Sequence, residues 1–397
     1  MNLKLYPNLC RAVVDSLTLI FEDNKHADKV IEKTLKQNPK WGARDRRFIA
    51  ETTYDIVRWY RLFQNASRAK ERDYWGLIAT WCIARDVQIP NWKEFKGINP
   101  GEAKKRLEDP SLPRAIRESI PDWLDKLCGQ ALGDQWDKEL RALNTEAEVV
   151  LRTNTLKTTT RELQAKLYEE GTSTSTIESV EDALVLERRQ NIFQSPLFKG
   201  GLFEVQDAGS QLIAPFLKVE PGHRVIDACA GAGGKSLHLA SLMKNSGRII
   251  AMDTEQWKLD ELKKRARRAD ATNIETRLID SSKVIKRLAG TADRLLLDVP
   301  CSGLGVLRRN PDAKWKLSSE FIEKLKALQQ QILSDYSRMV KPGGMMVYST
   351  CSILPDENER QVARFLSVHP EFRIVDEQHV WPSEGFDGFY MARLIKK

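Results

Sequence analysis

The chain has 397 residues, 41% hydrophobic and 30% charged, with a formal charge of +8 and a pI near 9.0. That length exceeds one ordinary core and predicts two or three domains. No apolar run reaches the roughly 18 residues of a membrane helix, so no membrane partner is expected. The N-terminal stretch offers no small-residue cleavage site, and no signal peptide is expected. The cysteines (Cys10, Cys82, Cys128, Cys229, Cys301 and Cys351) lack CxxC spacing. This argues against a zinc site or disulfide framework and for a reducing, cytoplasmic setting. A basic balance suits a polyanion such as nucleic acid. Residues 1–140 hold 25 Lys and Arg against 21 Asp and Glu, and the remainder holds 38 against 34. There is no basic tail, so a polyanion surface would have to be assembled by folding.

Residues 1–142 read as helical. In "ARDRRFIAETTYDIVRWYRLF" the residues Phe48, Ile49, Thr52, Ile56, Trp59 and Tyr60 fall near one stripe at helical spacing. Seven of the ten tryptophans lie here and are read as core. "QIPNWKEFKGINPGEAKK" reads as a loop between helices. Residues 146–215 change character: strand "EVVLRTNTL", helix "TTRELQAKLYEEG", then strands "DALVLE" and "GGLFEVQD" form a small α+β subdomain. From 216 to 397, strands "HRVIDAC", "GRIIAMD", "NIETRLID", "ADRLLLDV" and "GGMMVYST" alternate with helical patterns. That order predicts an α/β domain with a doubly wound, mostly parallel sheet, whose ligands bind beyond the carboxyl ends of the strands. Asp227, Asp253, Asp280, Asp298, Cys301 and Cys351 all fall at such ends.

"VIDACAGAGGKSLHLA" (225–240) is strand, glycine-rich turn and helix. A phosphate loop fails because Cys229 stands where its first glycine belongs. A dinucleotide fingerprint counted from Gly231 and Gly233 meets Ser236 at its third position. S-adenosylmethionine, which has no phosphate, needs close backbone approach, and Ala230, Gly231, Ala232, Gly233 and Gly234 allow it. Asp253 could accept the ribose hydroxyls, and Asp280 could meet the adenine amino group. His238, on the following helix, is read as structural, and no spaced histidine pair suggests a metal.

Methylating C5 of cytosine is harder than methylating a lone pair, because that carbon is a poor nucleophile. A thiolate that adds to C6 activates it, and a second group must then assist release. Cys301, Cys351 and Asp298 supply the needed types, and Lys235 could favour a thiolate or contact the substrate. Cys10, Cys82 and Cys128 are read as buried small hydrophobes. The polar flanks of Cys301 (Asp298, Ser302) and Cys351 (Ser349, Thr350, Ser352) favour chemistry instead. Position alone does not say which of the two thiols attacks.

The segments "FEVQDAGSQLIA", "DACAGAGGKS", "AMDTEQWKL", "LLLDVPCSGLGVLRRNPDAKWK", "YSTCSILPDENE" and "GFDGFYMARL" occur in an order that resembles the Sun-family (RsmB-like) RNA cytosine-C5 methyltransferases. The resemblance implies a class I S-adenosylmethionine-dependent methyltransferase domain, Rossmann-like with a mostly parallel seven-stranded sheet. An RRM-like α+β subdomain and an N-terminal NusB-like helical RNA-binding domain would precede it. It further implies that Cys351 attacks C6, that Cys301 assists release and that Asp298 holds the cytosine edge. The loop Cys229–Lys235, with Asp253, Asp280 and Asp298, would bind the cofactor. The family's loop usually reads "CAAPGGK", and here Gly231 and Ala232 replace Ala and Pro.

Arg308, Arg309, Lys314 and Trp315, after the Cys301 motif, are expected to face RNA near a flipped base. The basic stretch 258–270 is read as the solvated face of a helix. The expected substrate is small-subunit ribosomal RNA, acted on by a monomer, with tRNA as the same-chemistry alternative. A non-catalytic ribosome-assembly factor would lack a motif cysteine or Asp298. A nicotinamide oxidoreductase is disfavoured by the missing third glycine.

Overall fold

The computed structural model describes residues 4–68 and 70–397. They fall into two compact units: the chain up to Thr145 together with Leu307–Ser318, and Glu146–Val306 together with Ser319–Lys397. The subdomain expected at 146–215 thus groups with the α/β part of the chain.

Among the described residues of the first unit all regular structure is helical. Tyr74–Ala84 is apolar on every side and buried along nearly its whole length, which makes it the central helix of this core. The helix Ala43–Arg58 buries Phe48, Ile49, Thr52 and Ile56, as its periodicity predicts. Cys10 and Cys82 are buried here, and burial pushes both thiols up to about 12. The stretch read as a loop contains a helix, Pro100–Leu107, started by Pro100 and capped by the Asn99 side chain accepting from the Glu102 N–H.

The segment Leu307–Ser318 corrects the expected RNA face. Lys314 is 2% exposed and donates to the Arg58 carbonyl at 2.8 Å and to Asn144 Oδ1 at 3.2 Å. The Trp315 indole donates to the Val57 carbonyl at 2.7 Å, and the Arg58 guanidinium reaches the Arg308 carbonyl at 2.8 Å. Asp312 is buried and accepts from the Ala27 N–H. Arg308 is buried and Arg309 is half-buried. The Lys314, Trp315 and Asp312 side chains and the Arg308 carbonyl tie the segment into the helical core, so Lys314 and Trp315 act as an internal brace where an RNA-facing role was expected.

The second unit holds two sheets. The smaller contains β1 (Val150–Thr153), β2 (Thr174–Ile177), β3 (Val180–Leu186) and β4 (Phe203–Val205), in the order β2-β3-β1-β4 and antiparallel throughout. Its helix Thr160–Glu169 opens on a capping box between Thr159 and Glu162. β2 was not expected, because it is a partly exposed edge strand without an apolar face.

The larger sheet contains β5 (Arg224–Asp227), β6 (Arg248–Asp253), β7 (Ile274–Leu278), β8 (Ala292–Asp298), β9 (Val340–Thr350), β10 (Phe372–Val380) and β11 (Phe389–Lys396). Its order is β10-β11-β9-β8-β5-β6-β7, parallel from β9 to β7, with β11 antiparallel to β9 and β10 antiparallel to β11. This is the seven-stranded, mostly parallel α/β architecture expected. Alternate residues serve opposite faces: Ile226, Leu295 and Leu297 join one core cluster, Val225 and Leu296 the other. Burying such a side chain contributes about 1.5–3 kcal/mol relative to leaving it exposed. The strand order reverses at β5 and β8, where a doubly wound sheet opens a crevice at its carboxyl edge.

Candidate active site

At that edge a cavity of about 180 Å³ is lined by Val205, Gln206, Ser210, Asp227, Cys229, Ala230, Gly234, Lys235, Arg265 and Asp298. The turn after β5 brings in Cys229 and Ala230. Gly233 precedes the helix Gly234–Leu242 at φ +89, and a Cβ there would lie 2.5 Å from Leu262 Cγ. Only glycine allows that turn to pack so closely on the helix Gln256–Ala269. Asp253, at the end of β6, accepts from the Gly231 N–H at 2.9 Å and from the Glu255 N–H at 2.9 Å, so it also shapes the loop.

Asp227 ends β5 and is buried. One of its oxygens accepts from the Ser236 hydroxyl at 2.6 Å, and the other has no partner. Burial pushes this carboxyl up to about 7. Asp280 differs from the other strand-end acids: it lies two residues past β7, is exposed and accepts from the Ser281 hydroxyl; like Asp253, it does not line the cavity.

Lys235 and Asp298 form a part-buried ion pair at 2.6 Å. Burial alone would lower the lysine, but the Asp298 charge and hydrogen bond outweigh it and hold the ammonium above its usual range. Asp298 and Ser349 are paired across β8 and β9, and the Ser349 hydroxyl donates to Asp298 Oδ1 at 3.0 Å. The same adjacency brings together the two loops that follow these strands. Cys301 Sγ and Cys351 Sγ are 3.2 Å apart, and the Cys351 N–H donates to Cys301 Sγ at 3.3 Å. The hydrogen bond to Cys351, then burial, raise the Cys301 thiol well above its ordinary value. Gly305 and Gly388 meet backbone to backbone beside them. Gly388 N–H donates to the Gly305 carbonyl at 2.7 Å, Gly305 N–H to the Cys351 carbonyl at 2.9 Å, and a Cβ on Gly305 would lie 2.1 Å from Gly388 O.

The small sheet contributes one wall. Arg152, almost wholly buried, donates to Gln206 Oε1 and, at 2.5 Å, to the Gly234 carbonyl, while the Gln206 amide donates to the Ser210 hydroxyl at 3.0 Å. Buried Glu204 pairs with Arg265 at 2.9 Å and Arg268 at 2.6 Å. Those two arginines of the 258–270 helix therefore serve an internal ion network and do not simply face solvent. His238 is buried against Asp182 at 3.3 Å, and burial lowers it to about 4, a structural placement.

The donor set fits S-adenosylmethionine. An orphaned buried carboxylate oxygen on Asp227 suits a cationic amino group, the small-residue loop permits close approach, and Asp253 stands at the next strand end. Among the described residues no cluster of three potential metal ligands occurs. No helix among them is long and apolar enough to cross a membrane.

Comparison with known proteins agrees with this geometry. Residues 214–395 match the family described as 16S rRNA methyltransferase RsmB/F, and residues 120–193 match its ferredoxin-like domain. Ribosomal RNA small subunit methyltransferase B of Vibrio cholerae is 36% identical over 291 residues, covering 71% of this chain and 67% of that one. The probable small subunit methyltransferase B of Synechocystis sp. is 37% identical over 398 residues, covering 91% and 89%. The crystal structure of PH0851 aligns over the whole of both chains at 27% identity with a TM-score of 0.83. A methyltransferase homolog from Pyrococcus horikoshii aligns over 71% of this chain and 97% of its own at 25% identity, TM-score 0.64. The chain belongs to the RsmB/F family of 16S rRNA methyltransferases and is an S-adenosylmethionine-dependent ribosomal RNA methyltransferase.

Proposed function

We propose that this enzyme methylates C5 of a cytosine in small-subunit ribosomal RNA through a covalent adduct between Cys351 and C6 of the base. The observation that carries the reading is the thiol pair at 3.2 Å beside the Lys235–Asp298 ion pair. A single N- or O-methylation would need neither thiol. The bound cofactor would supply an electrophilic methyl group on a sulfonium. Asp227, the loop Cys229–Lys235 and Asp253 would hold it.

Cys301 keeps its proton, its thiol being raised by the Cys351 hydrogen bond and burial, and Cys351 attacks as its thiolate, the form a thiol must take to be nucleophilic. That thiolate adds to C6, and the displaced electron pair moves toward N3 of the base, where Asp298 would hold the edge with Lys235 beside it. C5 thereby becomes nucleophilic. After methylation the C5 proton passes to water, its electron pair re-forms the C5=C6 double bond, and the C6–S bond breaks to return the Cys351 thiolate. The Cys301 thiol, hydrogen-bonded to the departing sulfur, stabilises it as a thiolate. Attack by the Thr-Cys thiol also follows from the Sun-family resemblance of "YSTCS".

Bisulfite sequencing of total RNA from cells with and without the gene tests the reading. The expected result is one cytosine in small-subunit rRNA that loses its protection when the gene is removed. Loss of protection in tRNA alone would replace the substrate, and no change at any cytosine would remove the C5 reading.

A further inference from the structure

The two cysteine loops share one anchor. Ser302 follows Cys301, Ser352 follows Cys351, and both hydroxyls donate to Glu357 Oε2 at 2.5 Å. Glu357 Oε1 accepts from the Ser302 N–H at 2.8 Å and from the Gln329 amide at 3.0 Å. Glu357 is fully buried, so four donors from three separate segments converge on a carboxylate that water does not reach. Its neighbours extend the brace. The Tyr348 hydroxyl donates to the Glu357 carbonyl at 2.6 Å. Asn358 accepts from the Thr350 hydroxyl at 2.5 Å and donates to the Ser352 carbonyl at 2.9 Å, which grips the residue on each side of Cys351.

We propose that Glu357 is a positioning residue that holds Cys301 and Cys351 at contact by binding the residue after each. The inference rests on the reading that both thiols act on one base, and it adds the group that keeps them in register. The loops after β8 and β9 have no other shared side-chain acceptor of this kind among the bonds described. A carboxylate offers two acceptor oxygens to these donors, where an amide of the same shape offers one. The negative charge has a second effect: it is one of the causes that raise Cys301, after the Cys351 hydrogen bond, burial and the Cys351 charge.

The test uses the full-length protein with Glu357→Gln and, separately, the double variant Ser302→Ala/Ser352→Ala. Three quantities are read: cofactor binding by calorimetry, single-turnover methylation, and the rate at which diamide closes a Cys301–Cys351 disulfide. In that last reaction two thiol hydrogens pass to the diazene, which becomes a hydrazine, and peptide mass reports the loss. Cofactor affinity is expected to stay near wild type in both variants. Methylation should fall about 100-fold and disulfide closure about tenfold, because displacement of a reacting group by about 1 Å costs that order of rate. The basic limb of the methylation pH profile should also move to lower pH in Glu357→Gln. If Glu357→Gln melts early, the serine pair, which keeps the carboxylate, decides on the same readouts. Wild-type closure and wild-type methylation in a folded variant would overturn the inference. Closure does not depend on the chemistry, so a methylating Cys351→Ala enzyme would remove the cysteine reading while leaving the Glu357 result interpretable.

Discussion

Lys235 is part-buried and Lys314 is buried, and the two lysines do opposite things. Lys235 faces the Asp298 carboxylate at the cavity, and that charge keeps its ammonium above the usual range. Lys314 hydrogen-bonds to two neutral acceptors, the Arg58 carbonyl and Asn144 Oδ1, and the Glu118 charge nearby only partly offsets its burial. Burial, and then the Arg58 charge, push it well below its usual range. One lysine is a retained charge that can act on a substrate, and the other is a polar strut inside a helical core. A lysine in a motif says little about function until its partners are known.

Lys235→Ala should sharpen the contrast most. It leaves the part-buried Asp298 without its cation, and methylation should fall by about 1000-fold, the scale of removing one electrostatic group from a preorganised site. Melting of the helical unit should be unchanged by calorimetry. Lys314→Met should do the reverse. It leaves two acceptors unpaired, and the helical unit should lose about 1–3 kcal/mol in urea titrations. Its pH dependence has a definite sign. A lysine whose folded pKa lies below its unfolded value of about 10.4 carries a penalty at neutral pH that fades as pH rises. The stability of wild type relative to Lys314→Met should therefore increase between about pH 8 and pH 10. A flat difference would mean that Lys314 stays charged.

Much of this was legible in the sequence. Strand-end placement of Asp227, Asp253, Asp298, Cys301 and Cys351 followed from the alternation of short apolar strands with helices, and the sheet puts them there. The two loops meet because β8 and β9 are parallel neighbours, a pairing that no local pattern encodes. For the same reason Glu357, six residues past Cys351, looked like one acid in a polar turn. Asp280 sits two residues beyond its strand and is exposed, so its expected contact with the adenine amino group stays an expectation. Lys314 and Trp315 point into the helical core against expectation, because composition reports charge and not destination. Both lie close in sequence to Cys301, yet they belong to the helical core.

The central claim is the division of labour between the thiols, attack by Cys351 and release by Cys301. Incubating Cys301→Ala and Cys351→Ala with rRNA and cofactor, then running denaturing gels, tests it most directly. The account expects Cys301→Ala to accumulate a protein–RNA adduct that survives denaturation, while Cys351→Ala forms none and does not methylate. An adduct that accumulates in Cys351→Ala and not in Cys301→Ala would contradict it and reverse the two roles.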